Sequence, residues 1–91
     1  MTVAARGRAA APLLALEQTT THPLTLQLLD ALRVEGWRVS GRDVGRAILT
    51  HPDRGSIEVQ IDTANPDRLV PFIDGRQMPT RRAVDFASGR A

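Results

Sequence analysis

The stretch Ser40-Gly41-Arg42-Asp43-Val44-Gly45-Arg46-Ala47-Ile48-Leu49 decides the fold, because it reads in two ways with different architectures. As a helix, Ser40 caps it, Asp43 sits at the box position, and Val44, Ala47 and Ile48 share an apolar face. Joined to a preceding helix, that would make a helix-turn-helix. As an extended segment, Gly41–Val44 is a turn and Gly45–Thr50 a strand that follows the alternating Trp37-Arg38-Val39-Ser40. The glycines at 41 and 45 each cost a helix interior about 1 kcal/mol relative to alanine, which favours the strand.

The flanking sequence supports a sheet. Ile57, Val59 and Ile61 alternate with Ser56, Glu58, Gln60 and Asp62, the pattern of a strand with one wet face. His51-Pro52-Asp53-Arg54-Gly55 before it has the chemistry of a hairpin turn. Thr63–Arg68, with Asn65-Pro66-Asp67, is a loop. Leu69–Ile73 is a strand that Pro71 confines to an edge or a bulge. Asp74-Gly75 is a two-residue hairpin signal, so Arg76-Gln77-Met78 should return antiparallel.

Helices bracket these strands. Pro23–Glu35 carries Leu24, Leu28, Ala31 and Leu32 at helical spacing, widened by Leu29, and Gly36 ends it. Pro12 opens a shorter candidate through Leu13, Leu14, Leu16 and Glu17, and Thr19-Thr20-Thr21 interrupts the two. Thr80 is read as the cap of a last helix over Arg81–Ala87 with Ala83, Val84 and Phe86 inward. The expected class is α+β: an N-terminal helix or helix pair, an antiparallel sheet of three to five strands and a short C-terminal helix. Residues 1–11 read as an arm, 12–88 as one domain and 89–91 as a frayed end.

Ninety-one residues suffice for a single core. The chain has no cysteine, which excludes disulfides and thiolate metal sites. It holds one tryptophan, two phenylalanines and no tyrosine, so Leu, Val, Ile and Ala must fill the core. No apolar run reaches the roughly eighteen residues of a membrane span. A cytoplasmic bacterial or phage protein is the expectation. All twelve basic side chains are arginine, yet the net charge is only +2.

No catalytic constellation is visible. A nucleophile needs a base within hydrogen-bond reach, and His22 falls at a helix start and His51 in a turn. His51 with Asp53 supplies two metal ligands at most, fewer than a site requires. No glycine-rich phosphate loop or cofactor motif is present. His51-Pro52-Asp53 is also the tripeptide of J-domains, but the alternating strand after it is unlike the long helices of that family.

What remains is arginine placement. Arg38, Arg42 and Arg46 suggest one basic face, and Arg76, Arg81, Arg82 and Arg90 against Asp85 make the C-terminal segment the most one-sided. Such arginines suit phosphates or an acidic partner. The expected role is a small non-catalytic regulatory binding module whose partner is a nucleic acid or a protein, with a homodimer as an option. Arg38, Arg42, Arg46, Arg76, Arg81 and Arg82 are its candidate site residues, and neither a metal nor a cofactor is expected.

Three other expectations have different consequences. A winged helix would pair Pro23–Glu35 with Ser40–Leu49 and use Ile57–Ile73 as the wing. A phage or mobile-element protein could inhibit a host protein by covering its surface. Finally, Leu28–Leu32, Gly36-Trp37-Arg38-Val39 and Ile48–Gly55 resemble the HicA-type mRNA interferases. That resemblance implies an αβββα fold like that of double-stranded-RNA-binding domains, an antitoxin partner and RNA binding or cleavage. The family's catalytic histidine lies in a Gly-Ser-His-like step, where this sequence reads Gly45-Arg46-Ala47, so RNA binding rather than cleavage is what the likeness carries over.

Overall fold

A computed structural model describes residues 20–90. The expected arm over residues 1–11 and the candidate helix opened by Pro12 lie outside them. The described elements run α1 (Pro23–Val34), β1 (Arg38–Asp43), β2 (Arg46–His51), β3 (Gly55–Ile61), β4 (Leu69–Ile73), β5 (Arg76–Gln77) and α2 (Thr80–Ala87). The strands form one antiparallel sheet in sequence order, which is the expected α+β class at its five-strand limit. The interferase resemblance implied three strands. Here β4 and β5 are added before the last helix.

Residues 41–49 form a hairpin, not a helix. Gly41 faces Ile48 and Asp43 faces Arg46 across the β1–β2 ladder, and Gly45 takes the positive φ of +74° that the turn needs. The turn is therefore Val44-Gly45 and β1 runs on through Asp43, where the sequence suggested a turn from Gly41. A helix-turn-helix loses its second helix by this arrangement.

The register shifts between Val39 and Gly41, making Ser40 the extra residue of a β-bulge. Asp74 and Gly75, with φ of 54° and 76°, make the two-residue turn between β4 and β5, in the mirror-image conformation that such hairpins favour. Pro71 is tolerated because its carbonyl accepts from Met78 N at 2.9 Å. A residue's N–H and C=O point the same way in an antiparallel strand, so the missing donor faces the side where β5 has already ended.

The two helices cover one face of the sheet. Thr25, Leu28, Leu29, Ala31 and Leu32 of α1 are buried, with Leu24 only half-buried. They meet Ala47, Leu49, Ile57, Val59, Leu69 and Ile73 from the strands and Ala83, Val84 and Ala87 from α2. Each large aliphatic side chain taken from water contributes about 1.5–3 kcal/mol. Thr80 is buried within the first turn of α2 rather than capping it, and Pro79 takes the cap position without a side-chain hydrogen bond. Among the described residues no helix is long and apolar enough to cross a membrane.

Candidate functional site

Both helices run the same way, since α1 starts beside β4 and ends beside the β2–β3 turn, as does α2. At their shared C-terminal end each helix closes with a glycine in the left-handed region. Gly36 N and Trp37 N return to Arg33 O (3.3 Å) and Leu32 O (3.0 Å), while Gly89 N and Arg90 N return to Phe86 O (3.1 Å) and Asp85 O (2.8 Å). These are paired Schellman motifs.

The His51–Gly55 turn clasps both ends. Arg54 Nη1 donates to Ala87 O at 2.8 Å and to Glu35 Oε1 at 2.9 Å, placing a cation at two negative helix termini. Trp37 Nε1 donates to the same Ala87 carbonyl at 3.0 Å, and its ring leans on His51 and Phe86. His51 Nδ1 accepts from Asp53 N at 3.1 Å. Nε2 therefore carries the proton and donates to Glu35 O, also at 3.1 Å. Both ring nitrogens are occupied, so the His-Pro-Asp turn is a structural clasp.

His22 lies at the far end of α1, where its Nδ1 caps Thr25 N at 3.3 Å. A helix of 12 residues separates the two histidines by about 18 Å at 1.5 Å per residue. Thr25 is the hub of this end: its hydroxyl lies 3.2 Å from His22 Nδ1 and accepts from Leu69 N at 3.2 Å. Asp67 receives Thr21 N at 2.9 Å and the Thr21 hydroxyl at 3.0 Å, and its carbonyl accepts from the Thr20 hydroxyl. The Thr21 backbone donor, with the two hydroxyls, holds the Asp67 carboxyl below the ordinary range against a smaller opposing effect of burial.

The six candidate arginines do not form one surface. Arg38 and Arg46 stand on the uncovered face of the sheet, opposite Thr50 and Gln60, while the bulge turns Arg42 to the helix side opposite Ala47. Arg46 is also 3.6 Å from Glu58. Arg76 lies on β5, at the other edge of the five strands, about 19 Å from β1 at the usual spacing. Arg81 and Arg82 follow in the first turn of α2, where they line a surface depression of about 590 Å³ with Pro79 and Asp85.

The arginines differ in their partners. Arg33, Arg46, Arg54, Arg68 and Arg90 each have a carboxylate within 2.8–3.6 Å. Arg76, Arg81 and Arg82 have none among the described residues, and α2 has neither a capping side chain nor an acid in its first turn. Among the described residues no group of three or more His, Cys, Asp or Glu could hold a metal ion. Sequence reasoning singled out these arginines but missed Arg54, Thr25 and Asp67, whose partners lie far away in sequence and leave no local pattern. No family model, curated protein or solved structure matches the chain.

Proposed function

We propose that this chain is a non-catalytic binding module that grips the phosphate backbone of a nucleic acid through Arg76, Arg81 and Arg82. The observation that carries this reading is the division of the arginines. Among the described residues Arg33, Arg46, Arg54, Arg68 and Arg90 each face a carboxylate, Arg38 stands singly without one, and the β5–α2 segment gathers three exposed arginines without one. Guanidinium groups in that state keep their donors for bidentate contacts to phosphate oxygens. The uncapped N-terminus of α2 adds partial positive charge beside them.

The separation of His22 and His51, and the occupied nitrogens of His51, support binding rather than RNA cleavage. Backbone gripping reads no bases, so it implies little sequence preference.

The test is anisotropy of labelled duplex RNA and duplex DNA at several salt concentrations. The logarithm of the binding constant should fall linearly with the logarithm of salt for the wild type, and the slope should lose about two units in R81A/R82A, one for each phosphate contact removed. That variant should keep the wild-type melting temperature, since neither side chain has an internal partner among the described residues. Binding indifferent to salt, or a wild-type slope in R81A/R82A, would remove the reading.

A further inference from the structure

We propose that the nucleic acid held by Arg76, Arg81 and Arg82 is single-stranded, and that one of its bases stacks on the ring of Phe72 on the uncovered face of the sheet. This rests on the phosphate-gripping reading and adds the substrate class to it. Leu69 and Ile73 of β4 point towards the helices and belong to the core. Phe72, at the alternate position, points the other way.

The chain's two phenylalanines have different surroundings. Phe86 packs on the core, and its ring lies 5.9 Å from that of Trp37. Phe72 belongs neither to the core cluster nor to the side chains packed against it, and its ring meets no other aromatic ring among the described residues. It stays half-buried beside Val70, so part of the ring is open to solvent. Burial in the core does not explain an aromatic side chain at this position.

Its neighbours suit a single flat base. Across the ladder Phe72 stands between Glu58 of β3 and Gln77 of β5. Glu58 is answered by Arg46 at 3.6 Å and by Gln60 Nε2 at 2.9 Å, so the acid facing the ring is already paired. Gln77 is exposed, and its amide supplies both a donor and an acceptor for a base edge. The exposed apolar side chain in the same row, Ile48, lies beyond Glu58. The ring is therefore an isolated apolar spot in polar surroundings, unlike the continuous apolar patch that a protein partner would need.

The arginines connect this spot to the phosphates. Gln77 faces Phe72, and facing residues of antiparallel strands lie about 5 Å apart. Arg76 is next in the chain and faces Ile73, so it turns to the helix side, where Arg81 and Arg82 stand in the first turn of α2. Between the two sides lies only β5, an edge strand of two residues. A nucleic-acid strand bends over that edge with its phosphates on the arginine side and a base on the face. A duplex keeps its bases stacked inside, whereas an unpaired base is free to leave the backbone and lie on a phenyl ring.

The experiment is anisotropy of a short labelled oligothymidylate and of a labelled DNA duplex, each across a salt series. The wild type should bind the single strand more tightly than the duplex. Phe72→Leu keeps apolar bulk beside Val70 but removes the aromatic face, so it should weaken the single strand about tenfold and leave duplex affinity and both salt slopes unchanged. Phe72→Trp should hold the single strand at least as well as the wild type. Circular dichroism and the melting temperature check that each variant is folded. A wild type that prefers the duplex, single-strand binding indifferent to F72L, an equal loss on both probes, or an F72W no better than F72L overturns the proposal. If in any of these cases R81A/R82A still lowers the salt slope, the phosphate grip stands without the stacked base. Absence of binding to either probe removes both.

Discussion

The two ends of the molecule use similar residues in opposite ways. At the C-terminal end of the helices a histidine, an arginine, a tryptophan and an aspartate stand close together, the kind of group that suggests chemistry. Every donor of His51, Arg54 and Trp37 described there is turned inward onto a helix carbonyl or a carboxylate, and His51 Nδ1 accepts from a backbone amide. At the N-terminal end Arg81 and Arg82 look like ordinary solubilising residues, yet they face outward with no acid paired to them among the described residues. The lesson is that a residue's type says less about its use than whether its hydrogen bonds are already taken.

Breaking the clasp should have the largest effect. Arg54→Ala removes a charged donor shared by Ala87 O and Glu35, so it should cost about 2 kcal/mol and lower the melting temperature by roughly 10 °C in a domain of this size, read by thermal denaturation. A smaller effect is expected from Gly89→Ala. A Cβ there would come within 2.8 Å of the Arg54 guanidinium, at a φ of +78°, so about 1 kcal/mol of strain is added. Loss of no more than a few tenths of a kcal/mol in either variant would show that the clasp is incidental.

The mildest test is acid. Asp67 titrates below its unfolded value, so its contribution is complete above about pH 4 and is lost as pH falls through the lower folded value. Amide protection near Thr21 and Asp67, measured against the intrinsic exchange rate at each pH, should therefore fall at low pH before it does around Arg54. A uniform loss of protection would mean that the two ends are not independent in this way.

Much of the fold was legible because its signals are local. Periodicity marked α1 and β3, and turn residues marked the hairpins at 51–55 and 74–75. The choice between helix and strand over 41–49 was narrow from the sequence, and the structure resolves it through pairing with β3, which residues 41–49 alone do not encode. Thr80 was read as a cap because threonine often caps helices, but the tight return from β5 makes Pro79 the last extended residue and carries Thr80 into the core. The site was only half legible. Arg81 and Arg82 drew attention by charge density, whereas the separation of Arg42 from Arg38 and Arg46 follows from one bulge that no composition reveals.

Trp37 is the chain's sole tryptophan, and there is no tyrosine. Its indole touches the hairpin ring of His51 and the α2 ring of Phe86, and bonds the end of α2. The protein thus carries a single intrinsic fluorophore at the junction where its last helix docks, and the emission of that one chromophore should report detachment of α2 without any label.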